Sequence, residues 1–237
     1  MREELLSFYK IHNSSRVWGI KVKNKYGDIN KFAIEYQLKK NHYRESGTLK
    51  ESWGVFRLWI NGMNICKYKH ENSEKDYEWN LIYLIEWLCE NLEYILGYDP
   101  FPLPVSGNTT LELIRKSGEF EPKEEDEMYL WYQSRSRWIH RHNWFCNRDG
   151  SYLSNVYFRR KDDGFEVSWD NGFWTEQGIE FISVEGTGEV GGELFKSVLL
   201  GFLEEILIQL ESSVETNFCS DLEQISALYK KVKLIKL

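Results

Sequence analysis

The sequence predicts an α+β protein in which antiparallel β-hairpins are each followed by a long amphipathic helix. Three observations predict it. Asn61-Gly62 separates two β-prone runs, Leu81 to Leu96 repeats apolar residues at a helical period, and the same order of hairpin and Leu-rich helix returns between residues 156 and 210.

The clearest local signal is Val55–Ile60, then Asn61-Gly62, then Met63–Tyr68. Asn-Gly is the preferred pair for a type I′ turn because both central positions need positive φ. Runs at Val17–Val22 and Phe32–Leu38 are rich in β-formers and can extend this sheet, with Tyr26-Gly27-Asp28 supplying turn chemistry between them. From Tyr77 to Leu96 the period changes. Leu81, Leu84, Ile85, Leu88, Leu92, Ile95 and Leu96 fall on one helical face, and Gly97 and Pro100 end it.

Asp99-Pro-Phe-Pro-Leu-Pro104 cannot be regular helix, since each proline lacks a donor and restricts the residue before it. It is an extended connector and divides the chain into an N-terminal half, 1–98, and a C-terminal half, 99–237. Beyond it, Thr109-Thr-Leu-Glu112 is a capping box that opens a short helix ending at Gly118. A helix over 124–141 opens with Glu124, Glu125, Asp126 and Glu127 and closes with Arg135, Arg137, His140 and Arg141, a polarity that complements the helix macrodipole. A three-strand meander follows over 155–185, with strands at Asn155–Arg160, Phe165–Trp169 and Ile179–Glu185 and turns at Asp163-Gly164 and Asn171-Gly172. Gly186–Gly192 reads as a strand-to-helix turn. Helices at 193–212, with Phe195, Val198, Leu199, Phe202, Leu203, Ile206 and Leu210 on one face, and at 221–232 complete the chain. The repeated order fits either two similar ββα halves or two common arrangements in one α+β protein.

Composition narrows the function classes. With 237 residues, 42% apolar, 28% charged and 4 Pro, the chain is a folded globule rather than a disordered or fibrous one. No apolar run approaches a bilayer span and Met1-Arg2-Glu3-Glu4 lacks a secretory pattern, so a cytoplasmic protein without membrane contact is expected. The formal charge of −7 disfavours general nucleic-acid affinity. Cys66, Cys89, Cys146 and Cys219 show no CxxC or CxH spacing and read as reduced structural thiols.

The chemical outlier lies between Trp131 and Trp169, where Arg135, Arg137, Arg141, Arg148, Arg159 and Arg160 gather with His140, His142, Trp138 and Trp144. Spacings of four, three and four put Trp131, Arg135, Trp138 and His142 on one helix face. Arginine among indole rings can hold an anion or an acidic peptide, so Trp131, Arg135, Trp138, His142, Trp144 and Arg148 are the candidate ligand- or partner-binding residues. For Arg137 and Arg141, stabilisation of the helix C-terminus and pairing with internal acids is the preferred reading. His140, His142, Cys146 and Asp149 are zinc-ligand types, but their spacing matches no closed structural site, and no cofactor is expected. HExxH, GxSxG, Walker A and GxGxxG patterns do not occur.

Two resemblances bear on these residues. Arg135-x4-His140 and Arg137-x4-His142 resemble the R-x4-6-H element of HEPN ribonucleases, a short pattern that chance also supplies, and the flanking strands contradict the all-helical fold of that family. Trp138-Ile-His-Arg-His-Asn-Trp144, the run from Asp149 to Arg159-Arg160 and Phe165-Glu-Val-Ser-Trp169 together resemble an accessory region, over roughly 129–212, of bacterial proteins that carry an ImmA/IrrE-type metallopeptidase. The peptidase chemistry does not carry over without HExxH. The resemblance implies a bacterial or phage cytosolic protein of a defence, stress-regulatory or toxin-immunity system that acts by recognition. The expected function is therefore a non-catalytic module binding a protein or an anionic ligand such as a nucleotide. The rival is a nuclease or nucleotide-processing enzyme using the His/Arg cluster 135–148, with His140 or His142 as general base.

Overall fold

The computed structural model describes residues 24–71, 73–144 and 152–236. The β-prone run Val17–Val22 lies outside them.

Strands β1 (Asn24–Asp28), β2 (Phe32–Leu38) and β3 (Trp53–Ile60) form an antiparallel sheet. Its far edge is shared by β4 (Met63–Asn64) and β7 (Tyr77–Asn80), which pair with opposite ends of β3. A small sheet joins β5 (Tyr68–His70), β6 (Ser73–Lys75) and β10 (Glu180–Phe181), and a third has the order β11-β9-β8, from Glu185–Gly191, Gly164–Asp170 and Val156–Lys161. The helices are α1 (Gly47–Glu51), α2 (Ile82–Leu96), α3 (Thr110–Gly118), α4 (Glu125–His142), α5 (Gly172–Glu176), α6 (Gly192–Ser213) and α7 (Cys219–Lys236). The α+β class with antiparallel sheets is thus the observed one.

The Asn61-Gly62 turn forms with φ of 49° and 84°, the positive values that dictate this pair. Its second strand is only two residues long, because the Asn64 side chain accepts the Cys66 N–H at 3.1 Å and turns the chain away toward β5. Several elements differ from the local signals. Tyr26-Gly27-Asp28 belongs to β1, and the turn falls at residues 29–31, where the Asp28 carboxylate accepts the Asn30 N–H at 2.9 Å. Tyr77–Asn80 is strand rather than helix, since pairing with Trp53–Phe56 completes the edge of β3. The Asp162-Asp163 pair turns between β8 and β9, with Asp162 at φ 51°.

The third strand of the meander is Glu185–Gly191 rather than 179–185, so the glycine run is strand and not turn. Trp169 lies over Gly186 and Ile60 over Gly188, in the space where Cβ atoms would stand. Asn171-Gly172 opens α5 instead of a hairpin turn, and β10 leaves to pair with β5.

The connector at Asp99–Pro104 does not divide the core. One cluster of buried apolar residues runs from Phe32 and Leu58 through Leu88 and Phe158 to Leu210 and Val232. Helix α6 joins the two larger sheets: Phe195 stacks on Phe32 of β2 and on Phe165 of β9, and Phe202 meets Tyr36 edge-on and Phe56 at a tilt. Burial around this helix exceeds what one stripe provides, because both sheets cover it. Helix α2 backs onto α7, α4 and β8 and so carries the N-terminal half into the C-terminal one.

Candidate functional site

Helix α4 carries most of the residues singled out by the sequence. Its first turn holds Glu125, Asp126 and Glu127 and its last turn His140, Arg141 and His142, charges that favour the dipole at both ends. The face formed by Trp131, Arg135, Trp138 and His142 is real, and it points inward. Trp131 stacks on Phe120, and Arg135 Nε donates to Ser117 Oγ at 2.7 Å. These two contacts bind the helix to the C-terminal end of α3.

Trp138 is fully buried. Its Nε1 donates to the Asp99 carbonyl at 3.1 Å, and its ring meets Phe101 edge-on and His142 in a stack with centroids 4.2 Å apart. His142 is 1% exposed, with Nδ1 2.6 Å from the Phe158 carbonyl and Nε2 3.1 Å from Asp99 Oδ2. Arg141 donates to the same Asp99 oxygen through Nε at 2.9 Å, and its guanidinium lies over the Tyr94 ring. Trp144, also buried, donates to the Ser154 carbonyl at 2.6 Å and packs edge-on against Phe56 and Phe158.

The expectation of an outward-facing cationic and aromatic surface is therefore corrected for Trp138, His142 and Trp144, which are closed from solvent. The helical period decides which residues share a face, and the apolar demand of the indoles turns that face to the core. Trp131 and Arg135 are partly covered and already engaged. Arg148 lies outside the described residues, as do Cys146 and Asp149. Arg141 is satisfied internally by Asp99, and Arg137 is exposed beside Gln133.

Burial lowers the His142 pKa from its ordinary value, against the opposing pull of the Phe158 carbonyl and the Asp99 carboxylate. Desolvation of a fully covered ring can move a pKa by up to roughly 3–5 units, which is how it outweighs two hydrogen-bond acceptors. The ring is then neutral at neutral pH. A neutral ring has a single N–H, which the shorter contact places on Nδ1 toward the Phe158 carbonyl; Nε2 then turns a lone pair to Asp99 Oδ2, and that oxygen is bound by Arg141 instead. A sealed imidazole of this kind positions a helix; a general base needs hydrogen-bond reach to a substrate proton. His140 points to solvent, while its carbonyl accepts Trp87 Nε1 at 3.1 Å.

Two hollows of the surface lie elsewhere. One of about 340 Å³ at the β8–β9 turn is lined by Asp162, Asp163, Phe165 and Glu189, and one of about 170 Å³ beside α1 by Glu45, Lys50 and Phe218. Neither has a histidine in its lining. Among the described residues, no three His, Cys, Asp or Glu side chains gather as metal ligands would. No helix among them is long and apolar enough to cross a membrane.

The exposed part of α4 went unnoticed in the sequence. Met128, Tyr129, Leu130 and Tyr132 are 51%, 65%, 62% and 61% exposed. The signal was present: Met128–Tyr132 is five consecutive apolar residues inside a helix. Five positions at 100° each pass through a full turn, so one buried face cannot take them all. Also missed were Asp99, which joins Trp138, Arg141 and His142, and the buried Glu166–Arg159 pair. Comparison of the chain with family models, curated proteins and solved structures finds no match.

Proposed function

We propose that the chain is a non-catalytic protein-recognition module that presents the N-terminal half of α4 to a partner. The observation that carries this reading is the exposed group Met128, Tyr129, Leu130 and Tyr132 on a helix anchored at its other end. Isolated apolar residues on a surface are ordinary, whereas Met128, Tyr129 and Tyr132 fall within about 100° of one another around the helix, the shared face by which a helix enters a groove, with Leu130 on the far side of it. Tyrosine suits the role, because it combines large contact area with few rotatable bonds and a polar tip. The anchor fits the same role: the Trp138–His142 stack, Asp99 and Arg135 hold α4 so that its free turns are presented without an ordering cost.

The enzyme alternative loses support from the same geometry, since His142 has no opening to solvent and neither of the two hollows above has a histidine in its lining. The resemblance of residues 129–212 to accessory regions of ImmA/IrrE-bearing proteins supports a bacterial or phage defence or stress-response setting. The test is affinity capture from the native host with wild type and with Tyr129→Ser/Leu130→Ser/Tyr132→Ser, the fold of both checked by circular dichroism. A protein retained by wild type and lost from the folded variant supports the reading. Equal capture by both removes it.

A further inference from the structure

We infer that the partner of α4 is a basic protein whose cleft has an apolar floor and a Lys/Arg rim; this rests on the recognition reading above. Residues 119–127 carry Glu119, Glu121, Glu124, Glu125, Asp126 and Glu127 against Lys123 alone. All six carboxylates are exposed, and none forms an ion pair with a Lys or Arg among the described residues. Some exposed acids elsewhere are paired, Glu74 with Lys67, Glu185 with Arg115 and Glu189 with Lys161, and others such as Glu176 and Glu211 stand singly; residues 119–127 differ in crowding six carboxylates into nine positions. The helix dipole accounts for Glu125, Asp126 and Glu127 in the first turn. It does not account for Glu119 and Glu121, which precede the helix, so an unneutralised acidic rim borders the exposed tyrosines.

The charge selects among occupants. A second copy of this chain would bring two acidic rims together, and nucleic acid and anionic lipid are repelled by the same field. A basic cleft is attracted by it. Met128 and Tyr132 stand one turn apart and Tyr129 beside them, so an apolar floor would lie under the second turn and the rim cations over the first. Such an arrangement steers encounter electrostatically, with an on-rate that falls as salt screens the rim.

The test uses the full chain, immobilised, and host protein divided on a cation exchanger at neutral pH into retained and unretained fractions. Three forms are compared: wild type, Glu124→Gln/Glu125→Gln/Asp126→Asn/Glu127→Gln, and the Tyr129/Leu130/Tyr132 serine variant. The expected result is a partner from the retained fraction, displaced by heparin, whose on-rate at low salt drops roughly tenfold with the amide variant, a gap that closes at high salt. A partner from the unretained fraction, or an on-rate that the amide variant leaves unchanged while the serine variant abolishes binding, overturns the basic-partner inference and leaves the recognition reading standing. Binding that survives the serine variant, or no capture from either fraction, removes both.

Discussion

Asp99 and His142, 43 residues apart in sequence, meet at 3.1 Å beneath the Trp138 ring, and Arg141 holds the same carboxylate oxygen. The bonds from Arg141 to the Asp99 carboxylate and from Trp138 Nε1 to the Asp99 carbonyl tie the connector after α2 to the end of α4. They close around a histidine that burial keeps neutral, and that neutrality has a measurable consequence.

The folded-state pKa of His142 lies below its ordinary 6.5, chiefly through burial. A histidine whose pKa is depressed by folding binds its proton more readily when unfolded. Its contribution to stability is therefore complete above pH 6.5 and is lost as pH falls below it. Urea unfolding of wild type and His142→Phe across this range is expected to show a shallower pH slope in the variant. The slope is the readout, since the substitution also changes the absolute stability. Parallel slopes would contradict a buried neutral ring.

The inward and outward faces of α4 differ in what truncation removes. Trp138→Ala empties a fully buried site and deletes the bond to the Asp99 carbonyl, with an expected loss of about 3–5 kcal/mol. Tyr132→Ser, on a side chain 61% exposed, is expected to stay within about 0.5 kcal/mol of wild type. Denaturant midpoints check both. Comparable losses would mean that Tyr132 is covered in solution.

Much of this fold is legible from local chemistry. The Asn61-Gly62 turn needs only its own two residues, and half of the capping box forms as its letters suggest, Thr109 Oγ1 accepting the Glu112 N–H, while the Glu112 carboxylate accepts the N–H of Asn108, one residue before the cap. Tyr77–Asn80 and the Gly186–Gly191 run fail the same treatment because distant residues make them strands, the first through β3 and the second through β9 and the side chains of Trp169 and Ile60. For the site, the spacing of Trp131, Arg135, Trp138 and His142 gives their shared face correctly. Its direction depends on Asp99 and on the Phe158 carbonyl, neither of which belongs to the helix.

The glycine strand yields a sharper test of that explanation. Gly186 pairs with Trp169 across the ladder, and the indole leans over it while its Nε1 donates to Ser183 Oγ at 2.9 Å. A methyl group at this position collides with a ring that is buried and pinned. Gly186→Ala is expected to cost about 1–3 kcal/mol and to change the near-ultraviolet circular dichroism of the tryptophans. In an ordinary strand the same substitution would be neutral or favourable, so a stabilised variant would refute the packing account.

Glu166 is the second buried titratable group whose role can be read from pH. It is 1% exposed and accepts the Thr110 N–H at 2.6 Å, the Ser168 hydroxyl at 2.7 Å and Arg159 Nη2 at 2.5 Å. Burial alone would raise its pKa, but these donors together outweigh burial and hold it below the ordinary 4.5. A carboxylate depressed by folding contributes stability that is complete above that value and is lost as pH falls through the folded pKa. Glu166→Gln keeps the shape and an acceptor for Thr110, yet leaves Arg159, 14% exposed, facing a neutral amide. The expected loss at neutral pH is about 3 kcal/mol, the lower end of what removing one partner of a buried pair costs. As the pH drops and Glu166 itself becomes neutral, the wild-type and variant stabilities should converge. A deficit that stays constant to the acid limit would assign the effect to packing rather than to the charge that fastens α3 to β9.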